Sequence, residues 1–572
     1  MLNRKAVLVS RKFKEFFFPS VFMSMSTSLS IIVDSVIVGN VLGSRELAAM
    51  NLIMPLSLCF TAVTAIFGIG SSIYISVLKG RLDDEGADKC LTLSCMAWFL
   101  CSVLTVLAGI FAADGIAAFL SGSSGLNDLV EDYLKIYLLG SPFTFITMIF
   151  PHIIRSDGKP KLASNVLIIA NLTNLLLDVV FMKFMDMGLK GGSLATICGY
   201  ALGSFLYLIY VFSKARTLHI AKIKAADLKF YRDMVKFSIS SILGQGFMFA
   251  KLWIFNMLLS AVAGQEGLTA FSVCTSCLSF VSMFIAGAAQ TMMPMVGAFN
   301  GSGDDTAIGM TVRKALRVVV LCCIVTSILF ELFPVTVLTV FGVTEETTIA
   351  LGVTAVRLFS LALTGIGISF LFMYYVQACG MPAFSMQICA LEGFFIIVPT
   401  ALIMARSFGI TGFWLSYTIN EILVISFIVL KARSIVRRSQ GKLHSVFMLR
   451  TPSDIFEISV NVSDEEERKQ GIKAVLQQAE AVGLSGEGMF LEKLISDVFT
   501  LSQEAYEEKK ATMPGRVMDV IVAKDRITCK DMGKSYTSMK EDFKIENERF
   551  ICEHTLLIGM NYLEIRHKEV LG

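Results

Sequence analysis

Residues 16–42 read FFFPSVFMSMSTSLSIIVDSVIVGNVL. An apolar run of this length crosses a bilayer core of about 30 Å as a single helix. One carboxylate, Asp34, sits well inside it, roughly 27 Å from the helix start at a rise of about 1.5 Å per residue. Charge at that depth is costly, and it is kept where it faces a protein interior or a wet cavity and serves function. The alternative is a protonated Asp34 that hydrogen-bonds a neighbouring helix for packing alone.

Eleven further apolar runs lie near 49–79, 90–114, 132–155, 162–182, 188–213, 236–263, 268–299, 315–341, 349–378, 383–405 and 411–431. The chain is 54% hydrophobic and only 17% charged, which excludes an ordinary soluble globular protein. The expected fold class is an all-α polytopic membrane protein. It has twelve transmembrane helices in two six-helix lobes, followed by a cytoplasmic α+β domain. No cleavable signal is expected, because the basic start runs straight into a full-length span. With inside segments at 1–15, 79–89, 155–161, 214–236, 300–317, 379–383 and after Lys431, most loop Lys and Arg fall on one side, so both termini are expected in the cytoplasm of a plasma (inner) membrane protein. The 13 cysteines are scattered through apolar runs and imply no disulfide framework, and Cys274 and Cys277 read as small packing residues.

A shift of 221 positions aligns Gly43, Leu47 and Ala49 with Gly264, Leu268 and Ala270, and Gly80, Asp83 and Asp84 with Gly301, Asp304 and Asp305. Gly188 and Gly191 then match Gly409 and Gly412, while Gly158 and Pro160 match Gly380 and Pro382 at 222. Two parallel repeats imply a pseudo-two-fold along the membrane normal. The expected divisions are an N-terminal lobe at 1–213, a basic linker at 214–236, a C-terminal lobe at 237–435 and a soluble domain at 443–572. In that domain 457–462 alternates like a strand, a helix capped at Ser463 follows, and a second helix runs near 487–509. Short strands are expected at RVMDVIVA, RITCKD and NYLEIRH.

Ionisable residues inside the spans carry the functional signal. Asn171, Asn174 and Asp178 share one face of the fifth span, and Asp178 comes out roughly 24 Å along it, near the level of Asp34. Thr196 returns in the sixth span at the depth of Asn174. Two carboxylates, an amide and a hydroxyl at one level suit a proton or a hard cation such as sodium. Asn171 and Thr196 also fit plain interhelical hydrogen bonding. Lys251, Glu392 and Glu421 are candidates for substrate or cavity contacts in the second half. The chain has no glycine-rich phosphate loop, no HExxH and no Cys/His cluster, so no enzymatic activity, ATP motor, cofactor or structural metal is expected. Nothing points to nucleic acid.

Together, PSVFMSMSTSLSIIVDSVIVGNVLG, ELAAMNLIMPL, FGIGSSIYIS, RSDGKPKLA and LTNLLLDVVFMKFMDMGLKGGSLATI resemble the multidrug and toxic compound extrusion (MATE) transporters over about 1–435. The resemblance implies export of organic cations or amphipathic drugs by antiport with sodium ions or protons, through alternating access. It also implies a cation site at Asp34, Asn174, Asp178 and Thr196. A second branch of the family uses acids in the seventh and tenth spans, where this chain has Lys251 and no acid. The tail resembles the histidine-kinase-type ATP-binding fold of anti-sigma-factor kinases. Asp531 and Gly533 match its Asp-x-Gly, Asp497 replaces the expected Glu, and Leu501 stands where Asn would hold magnesium. Catalysis is expected to be lost, leaving a regulatory domain with a cytoplasmic partner. A lipid-linked glycan flippase of the same superfamily and a membrane sensor signalling through the tail are the alternative readings.

Overall fold

The spans follow from apolar length, and their breaks follow from glycine and proline. The computed structural model describes residues 5–122, 125–343, 345–450, 456–482, 484, 488–509, 516–538, 545–546 and 550–567. Among these, eight helices are long and apolar enough to cross a membrane, or up to ten if two bent pairs each count as one. The pairs are Asn127–Leu139 with Ser141–Ser156, bent by 59°, and Glu346–Ser360 with Leu363–Ala378, bent by 43°. The helical path Ile239–Gly301 leaves helical geometry only at Gly264 (φ 58°, ψ −146°), and Ile397–Arg438 does so only at Gly409 (φ 62°, ψ −146°). These dihedrals need a residue without Cβ.

Two hydrophobic cores form. One gathers residues from Val38 to Met234. The other runs from Phe255 onward, also takes in Leu8, Phe13, Phe16 and Ile73, and continues into the C-terminal region. The first span therefore starts against the second half of the chain and ends in the first.

The expected linker is docked rather than loose. Its helix Lys229–Lys236 receives a hydrogen bond from Tyr74 Oη to Asp233 Oδ2 at 3.2 Å, and Met234 is fully buried beneath Gly70. The expected inside loop at 155–161 also needs correction at its first residue. Arg155 belongs to the helix Ser141–Ser156 and is 1% exposed.

Beyond Arg438 a small hairpin pairs β1 (Leu443–His444) with β2 (Leu449–Arg450). A six-stranded antiparallel sheet follows: β3 (Phe456–Asn461), β4 (Val517–Val522), β5 (Arg526–Asp531), β6 (Ile545–Glu546), β7 (Phe550–Leu557) and β8 (Met560–His567). Its order is β3-β4-β5-β8-β7-β6. Helices Glu465–Ala481 and Gly488–Glu508 pack on it, with Val460 against Gly471 and Tyr506 Oη donating to Val517 O at 2.8 Å. The first of these helices is capped by Asp464 rather than Ser463. Its carboxylate accepts from Glu467 N at 3.0 Å, one residue later than the sequence spacing suggests. β7 carries a half-buried His554 whose ring lies tilted by 33° against Tyr536, and its FICEHTLL run has no clean alternation to announce it.

Candidate functional site

The first, fifth and sixth spans bring four expected residues together. Asn174 Nδ2 donates to Asp178 Oδ2 at 3.0 Å and to Thr196 Oγ1 at 3.2 Å. The Asp34 and Asp178 carboxyl groups lie side by side, and Asp34 Oδ1 is buried without a hydrogen-bond partner. Two carboxyl groups can hydrogen-bond each other only when one of them carries a proton, because two bare carboxylates have no donor between them. Gly192 packs beside Asp178 Oδ1: a Cβ there would sit only 3.8 Å from it. The orphaned acceptor, the second carboxyl group and the neutral ligands around them form an oxygen-rich cradle that suits a proton or a small hard cation.

Asn171 shares the expected helix face but not the cluster. Its Nδ2 donates to Ser26 Oγ at 3.2 Å and Thr27 Oγ1 at 3.4 Å, one to two turns toward the chain start. Ser30, which sequence reasoning passed over, donates to Asn174 Oδ1 at 3.0 Å. It lies four residues before Asp34 on the same face, and that spacing was the available signal. An open groove of about 380 Å³ runs along this seam, with Phe22, Met25, Ser26, Ser30 and Asn171 in its lining. The groove therefore reaches the cluster through Ser30.

A second polar knot lies in the other half. Asn420 Nδ2 donates to Glu392 Oε2 at 3.0 Å and Glu421 Oε1 at 3.1 Å, while Ser369 Oγ donates to Glu421 Oε2 at 2.9 Å. Lys251 is close enough to Glu392 to act on it through charge. Asn420 and Ser369 carried no charge to flag them in the sequence. Backbone irregularity marks both knots. π-type turns occupy Val38–Leu42, Val179–Phe184 and Leu391–Phe395, so Asp34 and Asp178 precede one and Glu392 lies within one. Such turns recur at functional sites.

Arg155 is a further buried charge. Its Nη2 donates to Met23 Sδ at 3.4 Å, its Nε has no partner, and no carboxylate pairs with it among the described residues.

In the C-terminal region Asp531 is wholly enclosed. It accepts from Gly533 N at 2.7 Å, from Asn561 Nδ2 at 2.9 Å and from the Tyr536 hydroxyl. Burial pushes its carboxyl upward from the ordinary value. Leu501 is buried at 3% exposure in the core, whereas Asp497 faces solvent.

A family model described as MatE matches residues 19–180 and 241–403, more than half the chain and one match in each repeat. This chain belongs to the MatE family. As a MatE protein it is a multi-pass membrane transporter and not an enzyme. Among relatives, the multidrug export protein MepA of Staphylococcus saprophyticus is 24% identical over 72% of this chain and 91% of its own length. MepA of Staphylococcus aureus is 24% identical over 70% and 88%. Among solved structures, an outward-facing multidrug resistance MATE transporter of the MOP superfamily superimposes with a TM-score of 0.70 at 19% identity, over 77% of this chain and 99% of its own. A MOP superfamily transporter from Pyrococcus furiosus, reported with reversed binding-pocket polarity, gives 0.68 at 19% identity over the same shares. These likenesses carry the fold, and the family model stops at residue 403, ahead of the C-terminal sheet.

Proposed function

We propose that this MatE chain is a secondary multidrug exporter that trades organic cations or amphipathic drugs for sodium ions or protons. The observation that carries the reading is the hydrogen-bonded set Asp34, Asn174, Asp178 and Thr196, held by three spans beside an open groove. Cation entry displaces a proton from the Asp34–Asp178 pair or fills the orphaned oxygen at Asp34. That changes the charge lining the groove, so one orientation of the two halves is favoured over the other. The names of the MepA relatives support drugs as the cargo.

The architecture behind this reading has twelve spans, reached when each bent pair is one span and each long helix doubles back at its glycine. Residues 1–213 and 237–435 are the two lobes, joined by 214–236. Both termini are cytoplasmic, as the Lys and Arg bias requires. Residues 443–572 form a separate domain on a degenerate histidine-kinase-type fold. Its Asp531 is saturated by its own chain, and the Leu501 position offers magnesium no oxygen. It therefore hydrolyses no ATP. We read its role as regulation.

Efflux of a fluorescent cation from vesicles under an imposed sodium or proton gradient tests the exporter. Asp34→Asn keeps shape but fixes charge, so gradient-driven efflux is expected to vanish while substrate binding persists. Wild-type efflux by Asp34→Asn would mean that the cluster is structural.

A further inference from the structure

We propose that the C-terminal sheet is a clasp, which bridges the two halves of the bundle on one side of the membrane and must let go before they part there. The proposal rests on the alternating-access reading above and names the regulation of that transporter.

The halves meet at this end on their own repeat-related glycines. Helix Ser71–Gly80 crosses the end of Ile239–Gly301, and a Cβ on Gly301 would lie 3.0 Å from Gly80 Cα. Gly80 and Gly301 occupy equivalent repeat positions, so the pseudo-two-fold passes between them and the bundle is shut at this point. The residues just past each glycine are taken by the sheet and by the hairpin before it. Beyond Gly80, Asp84 Oδ1 accepts from Thr555 Oγ1 of β7 at 2.9 Å. Beyond Gly301, Asp304 Oδ2 pairs with Lys530 Nζ of β5 at 2.7 Å, with side chains 3% and 4% exposed. Thr306 Oγ1 donates to Glu457 Oε1 of β3 at 3.0 Å, and Asp305 Oδ1 accepts from Arg450 N of β2 at 2.9 Å. The turn Leu557–Met560 presses backbone against backbone, since a Cβ on Gly158 would lie 2.6 Å from Gly559 Cα.

One antiparallel sheet thus grips Asp84 and Gly158 of the first half and Asp304 and Thr306 of the second, while the hairpin before it holds Asp305. β5, β8 and β7 are hydrogen-bonded neighbours, and Lys530 and Thr555 both stand opposite Tyr562 in one ladder. Parting the halves at Gly80 and Gly301 moves Asp84 away from Asp304. The sheet then has to surrender one set of contacts. A buried ion pair and a buried backbone contact do not stretch, so release is a discrete step.

The test uses the full chain in inside-out membrane vesicles. Ser302, buried at 5% exposure beside the glycine crossing, is replaced by Cys and labelled with a membrane-impermeant maleimide, with the parent chain as background. Two loosened forms are made: Lys530→Met with Thr555→Val on the sheet, and Asp84→Ala with Thr306→Val on the bundle, which leaves the sheet's sequence intact. Each is expected to label at least about tenfold faster than the parent, as a shifted closed-to-open balance requires. Joining Asp84→Cys to Thr555→Cys and Thr306→Cys to Glu457→Cys in one chain, by disulfides or a reducible thiol cross-linker, ties the sheet to both halves and is expected to suppress labelling and stop efflux, both restored by reductant. Unchanged labelling in both loosened forms overturns the clasp, as does undiminished efflux with both links closed. Labelling needs no cargo and no gradient. If it responds as expected while no gradient drives efflux in the parent, the clasp stands and the exporter reading fails.

Discussion

The two repeats agree in their loops and disagree in their membrane interior. After Gly80 the chain turns through Leu82 (φ 61°), and Asp83 caps the next helix through Gly86 N at 2.8 Å. After Gly301 it turns through Gly303 (φ 68°), and Asp304 caps through Ala307 N at 2.9 Å. The same left-handed turn and the same cap recur 221 residues apart, even though Leu82 bears a Cβ strain there that Gly303 avoids. Midway through the spans the halves part company. Asp34 and Thr196 stand opposite Phe255 and Tyr417, whose rings lie 5.9 Å apart in an aromatic core. Conversely Lys251 and Glu421 stand opposite Ser30 and Tyr200. Backbone geometry is common to both repeats because both must turn and cross in the same way. The polar chemistry is divided: a carboxylate pair lies beside an open groove in the first half, and Asn420 ties Glu392 to Glu421 in the second.

That contrast is sharpest at the carboxylates. Asp178→Asn is expected to lower gradient-driven efflux by more than about a hundredfold, and the double change with Asp34→Asn to be little worse, because the two act as one unit. Glu421→Gln, in the other half, is expected to alter which cations are carried by about tenfold or less while coupling to the gradient survives, since one uncompensated charge contact is lost. Efflux measured against gradient size for a panel of cations separates the two. Equal loss of coupling in both would break the contrast.

At the glycine crossing the halves are expected to behave alike. Gly80→Val and Gly301→Val each force a side chain into opposing backbone, an overpacking of about 1–3 kcal/mol. Each is expected to lower Tm and to expose the crossing to maleimide by similar amounts. A change at one glycine but not at the other would deny the pseudo-symmetry of that contact.

A smaller effect is expected at Thr196→Val, which removes one neutral ligand among several. Coupling should weaken a few-fold, whereas Tyr417→Phe at the equivalent aromatic position should leave it unchanged; sodium- or proton-dependence of efflux is the readout.

The smallest effect lies in the C-terminal region. Burial holds the His554 imidazole at about 4 against an ordinary 6.5, with Asn561 and Tyr536 against it and Asp84 and Lys79 as the nearby charges. Between those two values the unfolded chain binds the proton and the folded one does not, so stability is complete above pH 6.5 and falls as pH drops toward 4. His554→Gln should flatten that fall in thermal melts taken from pH 7 to 5.

Apolar length, Lys and Arg placement and the repeat of Gly, Pro and Asp were legible in the sequence, because each expresses a local rule of bilayer thickness or backbone geometry. The level of Asp34, Asn174, Asp178 and Thr196 was legible for the same reason, since rise per residue is constant along a helix. Other features were decided only when distant segments met. Asn171 turned to Ser26 and Thr27, because a shared helix face does not specify which neighbour faces it. Arg155 sank out of the expected loop into the bundle, and Asn420 joined Glu392 to Glu421. The bridging of Asp84 and Asp304 by one sheet lies furthest from any local rule, since Thr555 and Asp84 are 471 residues apart and nothing in either stretch refers to the other.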